Sequence, residues 1–554
     1  MNQNKLTTAA NNSLSPSTIN RSKKPLSIST TDVVTASSGS PAITAKATSA
    51  KTVRFQHVRK ALQNFRLVWL DSNLDESKDE YKKIIQYLRH IVISVTIFTD
   101  VHQCIDFLNQ INDEKVFIIV SGSLGRDLMP EINGLPQLYS TYIFCGNPSV
   151  HERWSKTISK VKGVYTRLEP IYTALRIDCE RCDQTLISMS FHGIDDFFMY
   201  TQLFKEVLLK IDDNDVKSIQ EFVDYCRVQG EIPEDQIAKI EREYRLHTYL
   251  WWYTAPNFIY SILNRALRLL DVDMILKIGF FIRDLHRYIE QLHREQQSMT
   301  TIPTIPFQVF RGQGLSIQGF EKLTKTEGGL MSFNNFLSTS RNRHFQLSNF
   351  ARPAASEPDL VGVLFIMTID PKLCTTLSIP FVNVKNLGFF EDKEEEFLFS
   401  THTIFRIDKI ERIHEDHIDR LWQVNLILMG NNNNDLNTFT ASIREKLSGT
   451  TTWLRLGEIF IKAGKSAQAE QLYQILLQKK LCSDKDQANY NFQLGRMYYD
   501  NGDCTNALKF YEQSLDIRRK SLPPDHPDLI ICITKNMQIN DHQVIINHID
   551  IDPE

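Results

Sequence analysis

The sequence predicts an α+β chain of several domains. Three observations carry that prediction. Between residues 60 and 192 short apolar runs alternate with segments of helical spacing. Between 303 and 430 the runs become strand-like and are punctuated by Gly, Pro, Asn and Asp. After 451 a helical pattern repeats itself. A chain of 554 residues exceeds what one core holds, and its length suggests about three or four domains.

Composition narrows the class. A net charge of −3 asks for neither nucleic acid nor a membrane surface. Hydrophobic residues at 42 % and aromatics at 10 % are ordinary for folded protein. No run has the roughly 18 consecutive apolar residues of a membrane span, and the first residues lack the apolar core of a signal peptide. The nine cysteines are scattered, which reads as reduced thiols in a cytoplasmic protein. Cys179 and Cys182 form one CxxC. Without a second pair it reads as two buried or half-buried thiols, and no metal is expected.

Taken in order, residues 1–53 are rich in Ser, Thr, Ala and Asn and poor in large apolar groups. They cannot bury enough surface to offset chain entropy, so a disordered arm is expected. In 60–192, Arg66 to Asp71, Val92 to Phe98, Val116 to Val120 and Thr141 to Cys145 are strand candidates, and Tyr81 to His90 has helical spacing. The continuous apolar runs suit strands buried on both faces, hence a doubly wound α/β domain with a parallel sheet. The layout resembles a receiver-type or flavodoxin-like module. Receivers end the third strand on a phosphoacceptor aspartate, whereas here that run ends in Ser121-Gly122-Ser123. Asp71 and Asp100 near strand ends are read as caps.

Residues 200–300 are helical, with amphipathic spacing over Val216 to Val228 and Asp235 to His247. Trp251 and Trp252 are read as core, and Arg265 and Arg268 as surface or ion-paired. From 303 to 430 the strand candidates are Phe307 to Phe310, Phe333 to Leu337, Gly362 to Ile369, Thr375 to Ile379, Phe397 to Ile407 and Trp422 to Met429, which suits a β-sandwich. Residues 431–450, opening on Asn431 to Asn434, form a linker.

In 451–530, Leu456-Gly457 recurs as Leu494-Gly495, Ala469 as Ala507 and Tyr473 as Tyr511, each 38 residues on. The spacing is similar to that of tetratricopeptide repeats, in particular the longer ones of kinesin light chains. Small residues there let paired helices approach. Two copies need a flanking helix, or docking onto the catalytic part, to finish their core. The repeats imply a peptide or protein ligand. Residues 531–554 are left as a tail, and 200–440 is expected to work without the repeats.

Three short stretches carry the chemistry. Phe310-Arg311-Gly312 follows an apolar strand. Ser338-Thr339-Ser340 lies 27 residues after Arg311, and Glu394-Glu395-Glu396 ends 58 residues after Ser338. A planar, permanently charged guanidinium suits a pyrophosphate or ribose edge, and a glycine admits close backbone approach. On an extended backbone Glu394 and Glu396 point the same way. Alone, each stretch is commonplace. In this order and setting they resemble the R–S–ExE signature of arginine-specific mono-ADP-ribosyltransferases over about residues 245–430.

The resemblance implies an enzyme that cleaves NAD+, releases nicotinamide and moves ADP-ribose onto a protein arginine. It implies a helical part at 200–300 bracing a β-sandwich at 303–430. Glu396 is the catalytic glutamate facing the ribose, Ser338 fixes its rotamer, and Arg311 holds NAD+ with Gly312, Thr339 and Ser340 in support. Glu394 orients the acceptor guanidinium. Phe389 or Phe390, in the loop Pro380 to Lys393, meets the target protein. No loop over NAD+ is assignable in His344 to Pro353. Two alternatives share these residues: an NAD+ glycohydrolase, for which Glu396 suffices, and a non-enzymatic adaptor with a decayed pocket.

Overall fold

The computed structural model describes residues 62–75, 77–112, 114–186, 188–193, 195–210, 215–298, 305–372, 380–389, 396–414, 418–429, 441, 445, 451–479 and 482–549. The chain is mixed α/β with a helical C-terminal region. Among these residues no helix is long and apolar enough to cross a membrane.

Five strands form the first sheet: β1 (Phe65–Leu70), β2 (Val95–Phe98), β3 (Lys115–Ser121), β4 (Leu138–Phe144) and β5 (Val161–Tyr165). Their order is β2-β1-β3-β4-β5 and every pairing is parallel. The helices between them are α1 (Asp79–Arg89), α2 (Val101–Asn109), α3 (Gly122–Ile132) and α4 (Glu152–Ser155), and α5 (Leu168–Thr185) follows β5. Val68, Ile118 and Val120 face α2 and α3 through Phe107 and Leu128. Leu67, Trp69, Phe117 and Ile119 face α1 and α5 through Leu88 and Ile171. Both faces are buried, so the strands read as unbroken apolar runs. Asp100 caps α2 by accepting from the Gln103 amide at 2.9 Å, and Asp71 accepts from the Asn73 amide at 3.0 Å. Both carboxylates stabilise local chain turns there.

The second sheet has the order β11-β12-β9-β7-β10-β14-β13-β8-β6. Its strands are β6 (Met189–Phe191), β7 (Phe307–Ser316), β8 (Leu330–Phe333), β9 (Leu337–Ser340), β10 (Leu360–Ile369), β11 (Phe381–Asn383), β12 (Glu396–Phe399), β13 (Thr403–Arg412) and β14 (Leu421–Leu428). Strands far apart in that order meet face to face. Phe399 of β12 lies 6.1 Å from Phe405 of β13, in one core with Phe333, Phe365 and Val424. The sheet therefore doubles back on itself around an aromatic filling. The sequence assigns residues to 192 to the first domain, but β6 pairs antiparallel with β8 of the second sheet. The strand expected at Thr375 to Ile379 lies outside the described residues.

Among the described residues six α-helices lie between β6 and β7 in sequence: α6 (Thr201–Lys210), α7 (Asp215–Gln229), α8 (Glu234–Glu243), α9 (Tyr249–Thr254), α10 (Phe258–Leu269) and α11 (Val272–Ser298). Thr248 and Asn257 cap α9 and α10 with side-chain oxygens. Leu270, at φ 52°, ends α10 in the left-handed region. Near the far end of α11, Gln296 exchanges two hydrogen bonds with the Asn383 backbone, at 2.8 and 2.9 Å. A side chain thus partners the backbone of β11 at the sheet edge.

Of the two readings the sequence left open for Arg265, surface or ion-paired, the structure takes the second. Arg265 is buried, 3.9 Å from Glu114, which also receives Arg66 at 3.0 Å. Arg268 donates twice to Asn64 Oδ1, and Lys162 pairs with Glu357 at 2.7 Å. These contacts join the first sheet to α10 and to the second sheet.

Helix α12 (Ile317–Lys325) follows β7, and between β9 and β10 lie α13 (Arg343–Gln346), a turn of π-helix (Leu347–Ala351) and α14 (Arg352–Ser356). They press on β7 and β10 where those strands carry glycine. A Cβ on Gly312 would strike the Gln346 carbonyl, and one on Gly362 the Ala351 carbonyl.

The C-terminal region comprises α15 (Thr452–Lys462), α16 (Ser466–Lys479), α17 (Asp484–Asp500), α18 (Cys504–Ser521) and α19 (Pro527–Ile549). A Cβ on Gly457 would run into Tyr473, and one on Gly495 into Tyr511. The same glycine–tyrosine contact therefore recurs in both repeats. The stretch read as a tail is largely helix, because Cys532 and Ile539 pack on the second repeat. The first repeat is not detached. Leu456, Ile459, Phe460 and Tyr473 share one core with Phe204, Leu208, Ile278 and Ile282 of α6 and α11. Phe460 lies 5.8 Å from Phe204.

This shared core argues against independence of residues 200–440. Removing residues 451–554 exposes apolar surface on α6 and α11. Uncovering Phe204, Leu208, Ile278 and Ile282 costs about 6 kcal/mol, or roughly 12–24 °C in Tm for a domain of this size. Scanning fluorimetry of the truncated chain should show that loss, or aggregation. An unchanged Tm would show that α6–α11 keep their core alone.

Candidate active site

The pairing of β12 with β9 places the acid. Glu396 stands opposite Ser340 and Leu398 opposite Ser338, while Phe397 faces Thr339. In an antiparallel pair opposed side chains share a face, so Glu396, Ser338 and Ser340 lie on one face and Thr339 on the other. Ser338 Oγ donates to Glu396 Oε1. This bond fixes the carboxylate's rotamer.

Arg311, on β7, reaches the same strand. Its Nη1 donates to the Ser338 carbonyl at 2.7 Å and its Nε to Gln313 Oε1 at 3.0 Å. The side chain is 2 % exposed. Burial lowers its pKa, partly countered by Tyr260, Tyr253 and Glu396. A guanidinium starts so high that it stays charged. Arg311 Nη2 and Gln313 Nε2 are buried and have no hydrogen-bond partner among the described residues. Two buried donors without acceptors are costly unless something brings acceptors to them.

Helices α9 and α10 hold the segment leading into Ser338. Tyr253 donates to the Phe336 carbonyl at 3.2 Å. Asn335 Nδ2 donates to both the backbone and side-chain oxygens of Asn264, at 3.0 and 2.9 Å. Thr401 binds the Asn334 carbonyl at 2.5 Å. Ser338 thus sits on a stretch tied down from two directions.

Arg311, Ser338 and Glu396 are joined in one hydrogen-bonded chain. Ser340 shares their face and accepts from the Asn342 amide at 3.0 Å. Two residues stand otherwise than the resemblance implies. Gly312 admits the Gln346 backbone, and its amide donates to Gln346 Oε1 at 2.9 Å. Thr339 is turned from the acid and bonds the Phe397 carbonyl at 2.9 Å, closing the strand pair. Phe389 is 37 % exposed, its ring 5.3 Å from Trp251. Glu394 and Phe390 lie outside the described residues.

Gln313, Tyr253 and Tyr260 escape the sequence reading. Gln313 was findable, being two residues beyond Arg311 on the same strand face. The tyrosines sit in an aromatic stretch that reads as core. Cys179 and Cys182 are buried on α5, and burial pushes both thiols up. Among the described residues no three His, Cys, Asp or Glu side chains gather to hold a metal.

Comparison with known proteins adds the following. Residues 493–528 match the family model described as tetratricopeptide repeat. No curated protein matches the chain. A solved structure described as "Crystal structure of ADP-ribosyltransferase Vis in complex with agmatine" is 18 % identical, over 41 % of this chain and 92 % of that one. Its TM-score is 0.23, too low to carry a fold assignment. A tetratricopeptide repeat thus lies in the C-terminal region.

Proposed function

We propose that the chain is an NAD+-dependent mono-ADP-ribosyltransferase that modifies arginine on a protein acceptor. The observation that carries this reading is the chain Arg311–Ser338–Glu396, in which a carboxylate is oriented by a serine and backed by a buried guanidinium. Dinucleotide fits the unsatisfied donors. Phosphate or ribose oxygens would meet Arg311 Nη2 and Gln313 Nε2, two buried donors without acceptors among the described residues.

The chemistry follows from charge. Breaking the bond between ribose C1′ and the nicotinamide nitrogen leaves positive charge on the ribose. Nicotinamide departs with the bonding pair as a neutral ring. Glu396 presents negative charge where the cation develops, so it stabilises the transition state more than the ground state. Ser338 holds it ready and removes the cost of orienting it during the reaction. An acceptor guanidinium nitrogen attacks C1′. Its pKa lies above about 12, so its proton leaves as the C–N bond forms. Glu394, two residues before Glu396, is the group proposed to orient that guanidinium by charge-assisted hydrogen bonds. The tetratricopeptide-repeat region is proposed to recruit a peptide or protein ligand.

Glu396→Gln keeps shape and removes the charge facing the ribose. It should lower both transfer and NAD+ hydrolysis by about 100- to 1,000-fold. The assay follows labelled NAD+ onto an arginine acceptor and counts free nicotinamide. Activity within a few-fold of wild type would sink the assignment.

Glu394→Gln should separate the two outcomes. Transfer to arginine should fall steeply while hydrolysis persists, because water needs no orientation by that carboxylate. Equal loss of both would place Glu394 in the ribose step instead.

Arg311→Lys keeps the charge but cannot reproduce the fork that reaches Ser338 and Gln313. NAD+ binding by calorimetry should weaken about tenfold or more, the loss of one charge-assisted bond at roughly 1.5–3 kcal/mol. Unchanged affinity would rule out direct contact.

A further inference from the structure

Helix α11 turns three polar side chains, His286, His293 and Gln296, toward the end of the sheet that carries the acid. Their spacing puts them on one helix face. His286 Nδ1 lies 2.5 Å from Ser400 Oγ, just past the end of β12. His293 Nδ1 donates to the Phe381 carbonyl at 2.8 Å, and its Nε2 accepts from Gln297 Nε2 at 2.9 Å. Burial lowers the pKa of His293, which keeps the ring neutral, with one nitrogen to donate and one to accept. Gln296 does more. Its Nε2 donates to the Asn383 carbonyl at 2.8 Å, and its Oε1 accepts from the Asn383 amide at 2.9 Å.

Strand β11 depends on this support. It has three residues and lies at the edge of the sheet. A strand that short gains little from one ladder alone. On its inner side Asn383 opposes Phe397, and the Val384 amide donates to the Glu396 carbonyl at 2.8 Å. On its outer side Gln296 makes the pair of bonds to Asn383 that a neighbouring strand would make. The helix behind Gln296 is firm, because Ile278, Ile282, Leu285 and Ile289 are buried in the helical core. Glu396 opens β12 and stands between Ser340 of β9 and Val384. Ser338 fixes the carboxylate against β9. The backbone from which that carboxylate springs is fixed on the other side by β11, and so by α11.

We propose that Gln296 is a positioning residue for the acid: through Asn383 and Val384 it sets the backbone of Glu396, and with it the place of the carboxylate against the ribose. The inference rests on the transferase reading and adds to it a support that lies outside the sheet. A charge stabilises a developing cation only where it is held in register with it, so a small displacement of this backbone acts on the transition state.

The test uses the full chain. Gln296→Met keeps the length of the side chain and removes its amide. Gln296→Glu keeps an acceptor for the Asn383 amide and loses the donor to its carbonyl. Hydrogen exchange of the Val384 amide, measured without NAD+, should quicken about tenfold or more in both variants. The kcat for nicotinamide release should fall about tenfold or more, while calorimetry should find NAD+ affinity within about threefold of wild type and an unchanged number of sites per chain. A merely structural role would lower the number of competent sites and leave kcat per site as it was. Unchanged exchange at Val384, or faster exchange with kcat unaltered, overturns the proposal. A loss of sites or of NAD+ affinity that matches the loss of rate in both variants overturns it too. Faster exchange in the variants, with no nicotinamide released by wild type, overturns the transferase reading and leaves the support of Glu396 by Gln296 standing.

Discussion

A guanidinium at 2 % exposure is costly to bury, and Arg311 organises its surroundings to meet two of its three nitrogens. One donor goes to the Ser338 carbonyl on β9 and one to Gln313 on its own strand. The bond to β9 ties the strand that carries Ser338 to the strand that carries Arg311, and Ser338 in turn holds Glu396 on β12. Three strands are thereby coupled through side chains as well as through backbone pairing. Backbone pairing of β7 with β9 is limited to Phe310 opposite Ser340. The guanidinium bridge supplies much of the connection at that seam.

The remaining architecture serves that seam from both sides. On one face the sheet closes over Phe333, Phe365, Phe397 and Phe399, a filling of large rigid rings that leaves strand register little freedom. On the other, α9 and α10 bind Asn335 and Phe336, just before Ser338, by polar contacts rather than by apolar packing alone. Such contacts are directional and set position more sharply than dispersion does. The helices that make them are braced in turn. The first sheet holds α10 through Glu114 and Asn64, and the first repeat closes the core of α6 and α11. Units separate in sequence are therefore mechanically continuous around the site.

That continuity has one physical cause. A helical layer with apolar residues on several faces needs more than one covering surface. Here the second sheet, the first α/β sheet and the repeats each cover part of it. The repeats gain as well, since a two-copy array has open ends that α19 and the helical layer cover.

Local periodicity and residue chemistry made several features legible. Runs buried on both faces mark the strands of the first sheet, as in Val116 to Val120. The recurrence of Gly457 and Tyr473 at Gly495 and Tyr511 marks the paired helices, because backbone approach at one spot demands a missing side chain. The order of Arg311, Ser338 and Glu396 pointed to residues that prove to be hydrogen-bonded together. What sequence could not supply were contacts set by the packing of distant segments. The burial of Arg265 depends on Glu114, 151 residues earlier. The role of Gly312 depends on the carbonyl of Gln346, and the turning away of Thr339 on its opposition to Phe397. Covering of the helical layer by the first repeat depends on apolar faces that are each ordinary alone. The sequence by itself determined which segments are helix or strand and which side chains are able to do chemistry, since both follow from neighbours a few residues away. The tertiary structure decided which of those side chains meet, because that depends on strand register and on which apolar face covers which.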